Sequence, residues 1–368
     1  MNQLPQKLRV IELAAVLAGP SVGMFLAELG AEVIKVENPQ GGDVTRSWKL
    51  AGETAETDRP AYFCSVNWGK KSVCLDLTKA EDQQKLATLL ANADVLLTSF
   101  KPGDAEKFGL HWEKLHATYP RLIVGEISGY GPYQTRVGYD AIIQAEAGFT
   151  AINGLPGQTF KMPVALVDVL AAHQLKAGLL LALWQRSVDG QGKRVHVSLL
   201  QAAIAALVNQ GANYLVGGVE PKPLGNEHPN IVPYGRPFVC ADGEVLVLAV
   251  GTDKQFESLC KLLGLDALAT QPPFNTNEGR VKGREQLYAL LDEAFARFKA
   301  AELLEQLHKA HIPAGKMHTM AAVADLPAAR ALLVTQAGLQ GWRSAVFVKE
   351  SPDLLPPPHL GEHQALLA

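Results

Sequence analysis

The stretch Arg9–Glu37, RVIELAAVLAGPSVGMFLAELGAEVIKVE, carries the local signals that decide the fold. Arg9 to Leu13 (RVIEL) is an apolar run of strand length, and Ala18-Gly19-Pro20 turns the chain. Ser21 to Leu29 continues as a helix, Gly30 closes it, and Glu32 to Glu37 (EVIKVE) is a second strand. Strand, turn, helix, glycine stop and strand within about 30 residues make a βαβ unit, with parallel strands and a right-handed crossover.

The alternation continues outward from this unit. Lys71–Asp76 (KSVCLD), Ala93–Thr98 (ADVLLT) and Leu122–Ser128 (LIVGEIS) read as strands, with a helix over Lys79–Ala91. The expectation is an open α/β sheet, Rossmann-like in outline. Met162–Trp184 is the most apolar long segment, interrupted only by the charges of Asp168 and Lys176. It reads as a short strand ending near Asp168, followed by a buried helix over Val169–Arg186. Arg194–Leu199 alternates as a strand, and Leu199–Leu215 is again helical. The Pro/Gly-rich tract Gly217–Pro237 reads as a linker. Beyond it come a strand over Glu244–Ala249, helices from Lys254, Arg284 and Ala301, and a strand near Gly315–Met320. The tail is extended through Pro356-Pro357-Pro358, with a short helix over Glu362–Ala368. The fold class is therefore α/β: a Rossmann-like large domain with a parallel sheet, plus a smaller α+β domain.

Composition narrows the function. The 368 residues hold 34 Lys+Arg against 37 Asp+Glu, a net charge of −3. A near-neutral chain is a poor polyanion binder, so no nucleic acid is expected as a partner. Hydrophobic residues make up 48%, enough for a large core, and disorder, collagen and coiled coil drop out. No long uncharged apolar stretch and no signal-like N-terminus occur, which points to a soluble, cytoplasmic protein with no membrane partner. Cys64, Cys74, Cys240 and Cys260 form no C-x-x-C pair and read as reduced thiols. The ten histidines are scattered, and no metal site is expected.

Two glycine-rich segments resemble known motifs and fail them. Trp68-Gly69-Lys70-Lys71-Ser72 lacks the first glycine of a P-loop. Gly129-Tyr130-Gly131 lacks the third glycine of a dinucleotide fingerprint, and Gly125-x-x-Ser128-Gly129 has the wrong spacing for a serine-nucleophile elbow. A dinucleotide fold without its fingerprint serves another chemistry, with no nicotinamide or flavin.

Asp168 is the principal catalytic candidate. A lone carboxylate where an apolar strand meets an apolar helix is either a helix N-cap or a working group, and the two are compatible. An ionised Asp at a helix N-terminus can act as a nucleophile, with backbone N–H groups at hand for an oxyanion. Tyr139 and Asp140 follow Gly138 in a polar loop, either as a turn with a packed ring or as the lining of an acyl pocket. Lys35, Arg46, Lys70, Lys71, Lys101 and Lys107 fall at strand ends or in the loops after them. Each is a solvated surface charge or part of a group converging on phosphates beyond the carboxyl ends of the strands.

Nearly the whole chain resembles one family. Leu17-Ala18-Gly19-Pro20, Leu29–Glu37, Gly42-Asp43, Asn67–Leu77 and Phe100-Lys101-Pro102-Gly103 come first in order. Gly138-Tyr139-Asp140, Asp168, Gly190-Gln191-Gly192, Val197–Leu200, Asn226–Tyr234 and Pro358–His363 follow. Together they are similar to the family III CoA-transferases, which include formyl-CoA and carnitinyl-CoA transferases and 2-methylacyl-CoA racemases.

The resemblance implies an interlocked homodimer. Its large domain would span residues 1–200, completed by 330–368. A linker would cover 201–224, the small domain 225–325, and a return linker with the C-terminal segment 326–368. It implies coenzyme A or acyl-CoA as substrate together with a carboxylic acid, and no metal. By position it makes Asp168 the nucleophile, with Tyr139 beside it. CoA contacts would come from Val16, Leu17, Ala18, Lys35, Asn38, Arg46, Leu75, Asp76, Ser99, Phe100, Lys107, Arg136, Gly138 and Asp140.

Departures from the family pattern select a branch. Racemases resemble Gly-His-Asp where Gly138-Tyr139-Asp140 stands, and tyrosine is a poor base near neutrality. Tyr139 thus favours transfer over the alternative of racemisation by α-proton exchange. Leu17 and Gly251-Thr252-Asp253 depart from the formyl-CoA transferases. An arginine common at Asn38 is missing, and Lys107 replaces another. Asn226–Tyr234 and Ala212–Leu215 look most like the branch that moves CoA between succinate and other dicarboxylates.

Overall fold

The computed structural model describes residues 8–101, 103–347 and 353–368. Pro102 of the Phe100–Gly103 motif and residues 348–352 of the tail lie outside the described residues. The chain divides into two units. One comprises Met1–Phe149, Lys161–Val219 and Pro327–Ala368, and the other Thr150–Phe160 and Glu220–Leu326.

In the first unit β1 (Arg9–Glu12), β2 (Glu32–Glu37), β3 (Lys70–Cys74), β4 (Val95–Thr98), β5 (Ile123–Ser128) and β8 (Arg194–Ser198) form one sheet in the order β3-β2-β1-β4-β5-β8. Every pairing in it is parallel. Parallel strands covered on both faces need apolar residues on both, and the strands supply them. Val10, Val33, Val95 and Leu97 face the Ala18–Glu28 and Leu166–Asp189 helices. Ile11, Ile34, Val73, Leu96 and Val124 face the opposite way, against Leu86, Leu89 and Leu90 of the Ala80–Ala91 helix. The chain reverses direction across the sheet between β1 and β4, where the crevice of a doubly wound fold opens.

The far end of the chain returns to this unit. Strands β12 (Leu333–Gln336) and β13 (Leu339–Trp342) pair as a hairpin. Leu354 packs with Met24, Trp68 and Val334. Gly69 N–H donates to the Leu355 carbonyl at 2.8 Å. Buried Glu28 accepts from the backbone of Ser344 and Ala345 at 2.8 and 2.6 Å.

The second unit carries an antiparallel sheet, β11 (Ala314–Lys316), β10 (Val245–Ala249) and β9 (Tyr234–Val239), and a two-stranded ribbon, β6 (Gly154–Leu155) with β7 (Gln158–Thr159). The Asp253–Leu263, Arg284–Phe295 and Ala300–Lys309 helices share its core, which includes Phe238, Leu248, Phe256, Leu291 and Leu303.

Four element expectations are corrected. No strand precedes Asp168: the helix runs Leu166–Asp189, and the sheet position beside β5 is taken by β8. This helix is long and apolar enough to cross a membrane by length and composition, yet Ala171, Leu175, Leu179 and Ala182 along one face are buried in the core. The helix over 199–215 is two, Leu199–Ala205 and Val208–Leu215, broken where Val208 takes a φ of 29°. The proline-rich tract runs into β9, where Pro237 pairs with Val247; an edge strand tolerates the missing N–H. The closing helix is a single 3₁₀ turn over Gln364–Leu367.

Candidate active site

The turn after β1 is built on a charge that the RVIEL pattern hides. Glu12 sits in an otherwise apolar strand and is fully buried. Both its oxygens accept from Lys70 Nζ at 2.8 Å, and Oε1 also accepts from Lys35 Nζ at 3.1 Å. Lys35 further binds Asp43 Oδ2 at 3.0 Å and the Ala14 carbonyl at 2.9 Å. A Cβ at Gly23 would lie 1.8 Å from Glu12 Oε2, so the helix above the cluster needs glycine there. Burial alone would lower the Lys35 pKa, but Glu12, then Asp43 and Glu37, hold it above the usual lysine range. Burial would raise Asp43, but the Lys35 charge together with hydrogen bonds from Thr45 and Lys35 outweighs it, keeping that carboxyl below its ordinary value.

The backbone that this cluster grips is strained. Val16 has a φ of 73°, a region that costs a β-branched residue about 1–3 kcal/mol. Its N–H donates to both Asp43 oxygens, at 3.1 and 3.3 Å, and the Ala15 N–H donates to Ser99 Oγ at 3.1 Å. The turn then enters the Ala18–Glu28 helix, whose first N–H groups have no intrahelical partner.

These parts line a cavity of about 260 Å³ at the switch point of the sheet. Ala15–Leu17 come from the turn after β1, Ala18 and Gly19 from the first turn of the helix that follows, Ser99, Phe100 and Lys101 from the end of β4, and Ile127–Gly129 from the end of β5. Val44, Gln134, Arg136–Tyr139, Asp168 and Leu199 complete the wall.

Asp168 is the third residue of the Leu166–Asp189 helix, not its N-cap, which is Ala165. The capping acceptor comes from elsewhere: Asp140 Oδ2 accepts from the Val167 N–H at 2.8 Å. Among the described residues no donor lies within hydrogen-bond distance of the Asp168 carboxylate, which is 7% exposed. Burial, and then the charge of Asp140, push its pKa up to about 7. A carboxylate without a cation to quench it, facing a cavity, is a competent nucleophile once ionised.

The other candidates separate into two groups. Val16, Leu17, Ala18, Ser99, Phe100, Arg136, Gly138 and Tyr139 line the same cavity as Asp168. Tyr139 is half exposed and precedes the Asp140–Glu146 helix. Arg136 lies over the Tyr130 ring at 4.3 Å and pairs with Glu146. Gly138 packs against Gly129 closely enough that a Cβ would sit 2.8 Å from the Gly129 Cα. Asp140 stands behind the wall as the helix cap.

The basic residues of the strand ends do not converge. Lys35 is held in the buried cluster, and Lys70 with it, where burial lowers its pKa to about 8. Arg46 is buried against Glu37, with Nη2 2.7 Å from Oε1. Neither Lys35 nor Arg46 has a side chain free for a phosphate: desolvation made internal carboxylates their partners. Lys107 pairs on the surface with Asp104 at 2.6 Å. Asn38, Leu75 and Asp76 follow β2 and β3 and are not among the cavity-lining residues.

Ser128, set aside in the sequence as a nucleophile, also lines the wall. Ser128 Oγ is 3.0 Å from His196 Nε2 and accepts from the Gly131 N–H at 3.0 Å. Burial lowers the His196 pKa. Only the position of Ser128 at a strand end hinted at this. No group of three His, Cys, Asp or Glu suited to a metal occurs among the described residues. His359 and His363, four apart, turn instead to Asp58 and to the Ser72 N–H.

Residues 6–364 match the model of CoA-transferase family III. The chain is 37% identical to the succinate–glutarate CoA-transferase of Agrobacterium fabrum, over 97% of this chain and 93% of that one. It is 34% identical to the human succinyl-CoA:glutarate CoA-transferase, over 85% of this chain and 71% of the relative. Among solved structures it resembles a CAIB/BAIF family protein from Brucella suis, with a TM-score of 0.85, 37% identity, and 99% and 98% of the two chains covered.

Proposed function

Because the chain belongs to CoA-transferase family III, we propose that it moves CoA from succinyl-CoA or a similar acyl-CoA to a carboxylic acid, through covalent intermediates on Asp168. The observation that carries this reading is the Asp168 carboxylate itself, buried without a cationic partner and aimed into the switch-point cavity. The likeness to transferases named for succinate and glutarate supports a dicarboxylate as acceptor.

The chemistry needs no proton and no external energy. An Asp168 oxygen attacks the thioester carbonyl carbon; the C–S bond breaks, leaving an aspartyl-acyl anhydride and CoA thiolate. The thiolate attacks the Asp168 carbonyl carbon, forming aspartyl-CoA and releasing the donor carboxylate. The acceptor carboxylate attacks aspartyl-CoA in turn, giving a second anhydride and thiolate. Attack of the thiolate on the acceptor's carbonyl carbon yields the new thioester and returns Asp168 as its carboxylate. The amides of Ala18 and Gly19 at a helix N-terminus are suited to the oxyanions of these steps. Lys101 and Arg136 are the cations in the cavity wall that can meet CoA phosphates or a distal carboxylate. Tyr139 supplies a phenol there and no base of the strength α-proton removal requires.

The proposed assembly is the interlocked homodimer, with a large domain of residues 1–200 completed by 330–368 and a small domain of 225–325. Exposed Trp184, Val188, Leu215 and Val216 support a partner surface.

The test is CoA exchange across a matrix of acyl-CoA donors and carboxylic acid acceptors, read by mass spectrometry. Asp168→Ala is expected to abolish exchange while leaving the oligomer intact, and hydroxylamine added to the wild type with acyl-CoA is expected to displace CoA from the activated Asp168 and leave its side chain as a hydroxamate, read by mass spectrometry. Full activity in that variant would sink the proposal.

A further inference from the structure

The turn over the cavity at Asp168 is held by four charged side chains that the proposed reaction does not use. Glu12, Lys35, Lys70 and Asp43 are each no more than 5% exposed. They cannot reach a substrate, yet each contact they make to the backbone falls on or beside the cavity wall. Lys35 takes the Ala14 carbonyl, Asp43 takes the Val16 N–H, and Lys70 takes the Pro20 carbonyl at 2.9 Å. Val16, which lines the cavity, is the residue with φ at 73°.

We infer that Asp43 and Lys35 are positioning residues: their buried ion pair holds Val16 in a strained turn, and so sets where Val16–Gly19 stand relative to Asp168. The inference rests on the assignment of CoA transfer to this cavity. A valine released from its acceptor relaxes toward negative φ, because the side chain disfavours the left-handed region. That rotation redirects the peptide groups on either side of Val16, and with them the N-terminus of the Ala18–Glu28 helix. Thr45 takes the remaining capacity of Asp43, its N–H and Oγ1 at 3.0 and 2.9 Å, which fixes the carboxylate against following the turn. Glycine visits positive φ without this penalty, so a glycine at 16 can keep the turn with less help from Asp43.

The experiment removes the pair in a charge-balanced way and then relieves the strain. Lys35→Met with Asp43→Asn leaves Glu12 and Lys70 paired, so the interior keeps zero net charge. The expected result is a kcat for succinyl-CoA-dependent CoA exchange at least tenfold lower, with a smaller change in KM. Adding Val16→Gly to that background is expected to recover a substantial part of the lost kcat, relative to Val16→Gly alone. Amide hydrogen exchange over residues 13–19 supplies a readout independent of turnover: the wild type is protected at Val16, and the pair variant is expected to exchange at least tenfold faster. A folded pair variant with wild-type kcat, no coupling to Val16→Gly, or unchanged exchange overturns the inference. If the pair variant does not fold, Asp43→Asn alone is held to the same criteria. Should the wild type transfer no CoA at all, the functional reading fails, and the exchange measurement still decides whether the ion pair holds the turn.

Discussion

Asp168 couples the chemistry of the cavity to the stability of the fold through one proton. A carboxyl whose folded pKa is about 7, against 3.8 when free, binds its proton more tightly in the folded state. Folding stability is therefore lost as pH rises from about 4 through 7, and the penalty is complete above 7. The neutral isostere removes it: Asp168→Asn is expected to be more stable than the wild type at pH 8, by up to about 4 kcal/mol. The difference should vanish near pH 4, as thermal or urea unfolding across the pH range will show. Activity runs the other way. kcat/KM is expected to fall tenfold per unit below about pH 7 and to level off above it, because only the ionised form attacks. A profile flat from pH 5 to 8 would remove Asp168 from the nucleophile's role. Asp168 was legible as a residue because a lone charge stood in an apolar run. Its environment was not, since the capping partner that frees it lies 28 positions earlier, at Asp140.

At the scale of the element, the Leu166–Asp189 helix begins at a cap supplied by a residue distant in the same chain. Asp140 holds the Val167 N–H with one oxygen and accepts from Gln144 Nε2 at 2.6 Å with the other. Asp140→Ala is expected to cost about 1 kcal/mol of stability, the usual loss on removing a cap. Asp140→Asn keeps an acceptor and removes the charge that helps raise Asp168, so the acid limb of kcat/KM should move to lower pH. An unmoved limb would show that burial alone sets that pKa. The parallel strands were readable from their apolar runs and the glycine or proline signals between them, because a strand buried on both faces announces itself in any window. The missing strand before Asp168 was not, since an apolar run becomes a strand only if a sheet edge is available, and β8, which starts 26 residues after Asp168, takes that edge. The buried lysines misled for a related reason. A basic residue near a strand end looks the same in sequence whether it faces solvent or an internal carboxylate, and only the packing of Glu12 and Glu37 decides.

The whole molecule leaves apolar surface uncovered in one chain. Trp184 is 64% exposed and Leu215 81% exposed, both on helices whose opposite faces or neighbours are in the core. Single exposed apolar residues are ordinary, but Leu180, Leu181, Trp184 and Val188 share one face of one helix at 41–76% exposure. Their spacing of three and four residues would bury them together against a partner. If a second copy is that partner, Trp184→Glu is expected to weaken self-association by about 2 kcal/mol or more, roughly thirtyfold, because a buried aromatic anchor is replaced by a charge that must be desolvated. Light scattering over a dilution series reads the shift directly. A threaded dimer adds a kinetic signature: mixed subunits of wild type and a tagged copy should exchange only on the timescale of unfolding, since the chains cannot separate without opening. Rapid exchange would leave a conventional dimer in place of the interlocked one, and a monomer at every concentration would remove the assembly altogether.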